Sequence, residues 1–240
     1  MKAVSVVIPA KNEQDNIRPL VTEIVTALTP VQENFEIIYI DDGSDDNTLN
    51  VLKELQTEMG AQLQIVRHKN SCGQSTAVRS GVKAANYPWI VTLDADGQND
   101  PADIPAMLVK AAQCQAQHFA VCGYRKNRKD TAWKRFQSRF ANKIRSAMLG
   151  DGTPDTGCGL KIFPRETFLE LPYFSHMHRF IPALVRRAGG EIIISVVHHR
   201  DRMAGVSKYN MLNRAWVGLV DIFGVMWLQK RSRIAEYIEP

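Results

Sequence analysis

Apolar residues in the first half of the chain fall into short, dense runs. Residues 3–9, Phe35 to Ile40, Leu63 to Val66, Ile90 to Leu93 and Phe119 to Gly123 are rich in Val and Ile. Runs of this length and composition predict strands buried on both faces. Between them the period changes. Ile17, Leu20, Ile24 and Leu28 recur every three or four residues, Thr48 to Leu55 begins a second helix, Ala77 to Ala85 is a small-residue helix, and Pro101 to Gln115 is a fourth. Strands alternating with helices predict an α/β fold: one Rossmann-like domain whose mostly parallel central sheet is flanked by helices. The loops leaving the C-terminal ends of such strands line one edge of the sheet, where these folds bind ligands. Pro9–Glu13, Asp41–Ser44, Asn70–Gln74 and Asp94–Gln98 are predicted to meet there.

The second half reads differently. Ile192 to Val197 is one more strand. Trp133, Phe136, Phe140, Ile144 and Met148 form an apolar stripe along a basic helix, and Trp216, Leu219, Phe223 and Trp227 form another within a C-terminal amphipathic helix over Met211 to Leu228. Such helices lie on an anionic membrane surface or pack on their own domain, or, for the last one, on a second subunit. No stretch of about 20 apolar residues is present, so no spanning segment is expected.

Charge divides the chain at the same place. Residues 1–123 hold nine Lys and Arg against fifteen Asp and Glu, and residues 124–240 hold 21 against ten. An acidic half suited to a cation precedes a basic half suited to anions. The four cysteines form no Cys-x-x-Cys pair and indicate neither structural zinc nor a disulfide framework. No secretory signal precedes the first strand, so a cytoplasmic site is expected. Basic residues beside a lipid-facing stripe argue against nucleic acid as the partner, and a homo-oligomer is compatible with the sequence.

The most informative stretch is Trp89-Ile-Val-Thr-Leu-Asp94-Ala-Asp96-Gly97-Gln98. Side chains alternate along a strand, so Asp94 and Asp96 point the same way from its end, and Gly97 permits a sharp turn. Two like charges this close favour a cation between them, and hard oxygen ligands suit Mg²⁺ or Mn²⁺. An EF-hand is excluded, because its twelfth position falls on Pro105. Neither a Walker loop nor Gly-x-Gly-x-x-Gly follows the first strand, which argues against an ordinary NTPase or a dinucleotide dehydrogenase. Asp42 suits an imide or amine of a nucleobase, or else an N-cap or Asx turn. Arg125 directly follows a strand and could reach a phosphate. Asp155 reads as a substrate-orienting group or a turn cap. His176-Met-His178 lacks a third metal ligand. Arg202, Gly205, Ser207 and Lys208 together make an anion-binding loop.

VSVVIPAKNE, IIYIDDGSDDNT, HKNSCGQSTAVRSGVKAA and WIVTLDADGQNDP, in this order, resemble successive motifs of family-2 glycosyltransferases with the GT-A fold. The likeness is greatest to the polyprenyl-phosphate, dolichol-phosphate mannose synthase-like branch. It implies a nucleotide-sugar-binding half (1–123), an acceptor-binding half (124–210) and an amphipathic interfacial tail (211–240). It implies that Pro9, Glu13 and Asp42 contact the nucleoside, with Asn12, Asn70 and Arg125 also among the donor-binding residues. It implies further that Asp94, Asp96 and Gln98 surround the metal and diphosphate. Arg202-x-x-Gly205-x-Ser207-Lys208-Tyr209 resembles the family loop that closes over the donor diphosphate and acceptor phosphate, and His178-Arg179-Phe180-Ile-Pro182-Ala-Leu184 a segment packed near that acceptor. The resemblance predicts an inverting, metal-dependent transferase moving a sugar from a UDP- or GDP-sugar to a polyprenyl phosphate at the inner membrane face, with Asp96, Arg202, Ser207 and Lys208 at the reacting groups. A family member with a sugar-hydroxyl acceptor is the alternative. It would need a carboxylate base, for which Asp155 is the one modest candidate.

Overall fold

The computed structural model describes residues 3–32, 34–126, 145–200 and 211–231. Seven strands form one sheet in the order β3-β2-β1-β4-β6-β5-β7. β1 (Val4–Ala10), β2 (Phe35–Asp41), β3 (Leu63–Arg67) and β4 (Trp89–Thr92) are parallel. β2 is buried at every position and β1 at all but one, which is why neither shows the polar alternation of a one-sided strand. β5 (Phe119–Tyr124) and β7 (Glu191–Val196) are parallel to each other. β6 (Lys161–Pro164) runs antiparallel between β4 and β5.

Helices cover both faces. α1 (Gln14–Leu28), α2 (Thr48–Met59) and α4 (Ile104–Gln113) contribute Ile17, Leu52 and Met107 to one core that includes Val4, Val6 and Ile8 of β1. On the other face α3 (Gln74–Ala84), α5 (Arg165–Glu170), α6 (Ile181–Arg187) and α7 (Met211–Lys230) contribute Val78, Phe168, Leu184 and Val225 to a second core that includes Val7, Ile38 and Ile40. Odd and even residues of β1 therefore enter different cores, the consequence of a two-residue period in a sheet covered twice.

Several elements depart from the sequence expectation. Pro101–Asp103 forms a separate 3₁₀ turn before α4, with Asp100 accepting the Ala102 N–H at 3.0 Å. β6 was not expected: only Ile162 and Phe163 are apolar between Lys161 and Pro164, too few for a period to register. β6 also shows that the change of charge near residue 123 is no architectural boundary. A strand from the basic half lies between two strands of the acidic half.

The C-terminal helix is apolar on two faces. Val225 is fully buried, Asp221 lies 3.3 Å from His176, and Arg187 donates to the Leu228 carbonyl at 3.1 Å. The opposite face leaves Val220, Phe223 and Trp227 exposed at 55%, 61% and 59%. Packing on the domain and presentation of an apolar face outward are thus properties of one helix. The basic stripe from Trp133 to Ile144 lies outside the described residues.

Candidate active site

The four parallel strands end at one rim, and their loops hold one another. Asn12, in the left-handed region at φ 58°, exchanges hydrogen bonds with Asp45: its amide donates to Asp45 at 2.6 Å and its carbonyl oxygen accepts the Asp45 N–H at 3.0 Å. The Glu13 N–H reaches the Thr48 hydroxyl, and the Glu13 carboxylate accepts from Asn16 at 2.6 Å. Pro9 lies in β1 opposite Ile40. Gly43, at φ +68°, faces the Asn70–Ser71 backbone so closely that a Cβ would sit 2.7 Å from the Ser71 nitrogen. Glycine is required there both for the backbone angle and for the approach of the two loops.

Asp42 is the anchor of this half. Oδ1 accepts from the Cys72 N–H at 2.8 Å and from His68 Nδ1 at 2.7 Å. Oδ2 accepts from the Ser71 hydroxyl at 2.8 Å and the Gly73 N–H at 2.9 Å. A carboxylate offers about four acceptor positions, and all four are taken by the chain. Burial opposes ionisation of Asp42, but these hydrogen bonds outweigh it and hold its pKa below the ordinary value. Because the carboxylate can only accept, the proton shared with His68 resides on Nδ1, and His68 Nε2 meets Ser80 at 2.9 Å. Asp42 does not cap α2: Asp46 accepts the Thr48 N–H instead. The Asp42, His68 and Cys72 side chains also bring ligand-capable atoms within 4.8 Å of one another, but the hydrogen bonds already satisfy both oxygens of Asp42.

The loop after β4 has another character. Asp96 Oδ1 accepts the Gln98 N–H at 3.1 Å, closing a tight Asx turn around Gly97, and the Asp94 N–H reaches Asn99 Oδ1 at 3.3 Å. Among the described residues Asp94 accepts one side-chain bond, from Gln74 Nε2 at 2.8 Å. Burial first, and then the charge of Asp96, push its pKa up to about 6, against the pull of Lys161, Arg125 and Gln74. Gly159 lies flush against the Asp94 carboxylate, where any Cβ would overlap it. Two adjacent hard-oxygen ligands at a strand end, one of them destabilised as an anion by the other, fit a divalent cation.

Three features here were not drawn from the sequence. Lys161 is buried and donates to the Cys158 and Thr156 carbonyls, placing a cation behind Asp94. Gln74 and Gly159 bracket Asp94 itself. The signal for Lys161 was a lysine opening an otherwise apolar strand. Gln74 lay in one of the loops expected at this rim, but nothing in the spacing paired it with Asp94, and for Gly159 there was no signal.

Arg125 follows β5 as expected, but its guanidinium faces inward. Nε and Nη2 bind the two oxygens of Asp155 at 2.7 and 2.9 Å. Burial opposes the charge of Arg125, and the ion pair more than offsets it, raising its pKa. In this structure the Arg125 guanidinium is paired with Asp155, the residue that the sequence left as a substrate-orienting group or a turn cap. His178 is tied across the cleft to α3, its Nδ1 lying 2.7 Å from the Ser75 hydroxyl, which also accepts the His178 N–H at 3.2 Å.

The segment leaving β7 is fastened to the loop after β4. Arg200 donates its N–H to the Gln98 carbonyl at 3.1 Å, and its guanidinium bridges Glu23 and Asp100. Asn99 and His199 form an isolated antiparallel bridge. Arg202, Ser207 and Lys208 lie outside the described residues, immediately beyond this junction.

Residues 5–171 match the family described as "Glycosyl transferase family 2". A dodecaprenyl-phosphate galacturonate synthase from Rhizobium johnstonii is 34% identical over 229 residues, 94% of this chain and 67% of that protein. An undecaprenyl-phosphate 4-deoxy-4-formamido-L-arabinose transferase from an Enterobacter species is 32% identical over 209 residues, 87% of this chain and 63% of that protein. The chain thus spans about two thirds of the length of these relatives. Among solved structures, glucosyl-3-phosphoglycerate synthase from Mycobacterium tuberculosis, in complex with Mn²⁺, UDP and phosphoglyceric acid, superposes with a TM-score of 0.66 at 16% identity, covering 98% of this chain and 80% of that one. Mannosyl-3-phosphoglycerate synthase from Rubrobacter xylanophilus gives 0.67 at 14%, covering 100% and 78%. At these identities the likeness is one of fold.

Proposed function

The chain belongs to glycosyl transferase family 2, in the branch of the polyprenyl-phosphate sugar transferases, and we propose that it moves a sugar from a nucleotide diphosphate to a polyprenyl phosphate with inversion at the anomeric carbon. The observation that carries this reading is the contrast between the two carboxylate positions of the cleft. Asp94 and Asp96 form a charge-stressed pair suited to a cation, whereas Asp155 on the acceptor side is bound by both arms of Arg125. Both oxygens of Asp155 are engaged by that one guanidinium, so the carboxylate is not presented to an acceptor hydroxyl. Transfer to a sugar hydroxyl needs a carboxylate positioned to accept the hydroxyl proton. A phosphate monoester does not, because its second pKa is about 6 and it is an anionic nucleophile at neutral pH.

Asp94, Asp96 and Gln98 would hold Mg²⁺ or Mn²⁺, whose charge would stabilise the departing diphosphate. The loops anchored by Asn12, Glu13, Asp42 and Asn70 form the walls in which the nucleoside would sit. Arg202, Ser207 and Lys208 follow the junction at Arg200 and would bind the acceptor phosphate. The protein's task is then to align two anionic substrates and suppress their repulsion.

The surface of α7 supports a site at an anionic bilayer. Val220, Phe223 and Trp227 are exposed along one side, and Lys230 and Arg231 close the helix. Each basic residue near such a surface contributes about 1 kcal/mol. No helix among the described residues is long and apolar enough to cross a membrane.

The test is a donor screen with radiolabelled nucleotide sugars, Mn²⁺ and undecaprenyl phosphate, run beside undecaprenol. Label should enter the lipid phosphate alone and should be lost with Asp96→Ala. Equal labelling of undecaprenol, or full activity of Asp96→Ala, would refute the reading.

A further inference from the structure

Asp94 is held from two sides by residues that carry no charge. Gly159 abuts its carboxylate on one side. On the other, the Nε2 of Gln74, the first residue of α3, donates to Oδ1 at 2.8 Å. Gln74 is exposed at the cleft, so its side chain is not a packing element. The turn that carries it is nevertheless fixed, because Asp42 accepts the Gly73 N–H at 2.9 Å and Ser75 is bonded to His178.

We infer that Gln74 is a positioning residue for the divalent cation: its amide sets the rotamer of Asp94 while leaving the carboxylate's charge for the ion. The chemistry of the amide matters. A lysine or arginine at this position would pair with Asp94 and compete with the cation, and an aliphatic residue would leave the carboxylate to rotate away from Asp96. An amide donor orients a ligand without neutralising it, the usual role of groups behind a metal ligand. The inference rests on the reading of Asp94 as a metal ligand, and its test separates the two.

Free Mn²⁺ is followed by electron paramagnetic resonance during titration of the metal-free full chain, with no sugar donor present. Gln74→Leu keeps an aliphatic stem and removes the donor, and its Mn²⁺ affinity is expected to fall about tenfold. Gln74→Asn, an amide too short to reach, is expected to fall between Gln74→Leu and the unsubstituted chain. The metal-free melting temperature of both variants should stay at the unsubstituted value. In transfer assays, raising Mn²⁺ should restore the kcat of Gln74→Leu, since an orienting group changes occupancy and not the reacting centre. Mn²⁺ affinity of Gln74→Leu within twofold of the unsubstituted chain overturns the inference, as does a matching loss of metal-free stability. If Asp96→Ala binds Mn²⁺ as well as the unsubstituted chain, the metal reading itself fails, whatever Gln74 does.

Discussion

Asp42 and Asp94 stand at equivalent places, each just beyond the C-terminal end of a parallel strand and on the same rim of the sheet. Their surroundings drive them in opposite directions. Asp42 receives four hydrogen bonds, two of them from backbone N–H groups, and its pKa is lowered. Among the described residues Asp94 receives one side-chain bond; burial first, and then Asp96 two residues away, raise it to about 6. Sequence position places both carboxylates, but the number of donors around each decides its role. A carboxylate whose acceptor positions are filled by its own chain holds loops together. One left with an electrostatic deficit calls for a cation.

The comparison predicts unequal consequences. The largest is in catalysis: Asp94→Asn should lower metal-dependent transfer by at least about 10³-fold, on the scale of losing a charge-stabilising group at a reaction centre. It should also abolish stabilisation by Mn²⁺ in a thermal melt. Asp42→Asn should keep that Mn²⁺ response, and its loss would erase the distinction between the two sites.

Stability should respond the other way round. Asp42→Ala strands four donors and removes hydrogen bonds to a charged group, costing about 3 kcal/mol in denaturant unfolding. Metal-free Asp94→Asn should be at least as stable as the unsubstituted chain at pH 7.5, because it relieves repulsion with Asp96. Equal losses at the two positions would contradict the assignment of roles.

The smallest effect is in pH. Asp94 has a folded pKa above its unfolded value. Its folded form binds the proton more tightly, so its contribution to metal-free stability is present below about pH 4 and is lost as pH rises through about 6. A bound cation removes that penalty. The Mn²⁺-induced rise in melting temperature should therefore be greater at pH 7.5 than at pH 5, and an equal rise at both would place the ion elsewhere.

Much of this architecture is legible in the linear pattern. The runs around Val6, Ile38 and Val91 lie in buried parallel strands, and the stretches around Ile24 and Val82 lie in the helices that cover them. The acidic loop after β4 is equally visible, because a carboxylate pair behind an apolar run is a local feature. Helix α7 was legible only by halves. Its periodicity announces a helix, but the sequence does not say that Val225 is buried while Phe223 and Trp227 face outward.

Local alternation of apolar and polar residues thus determined the elements, their order and the rim at which the acidic loops meet, since strand and helix periods are properties of neighbouring residues. What only the tertiary structure decided was the partner of each charge. Arg125 turns inward to Asp155, Lys161 of the antiparallel β6 comes to lie behind Asp94, and Gln74 reaches Asp94 across 20 positions of chain. A charge acts through distance and desolvation in space, and neither is written in the spacing of residues along a chain.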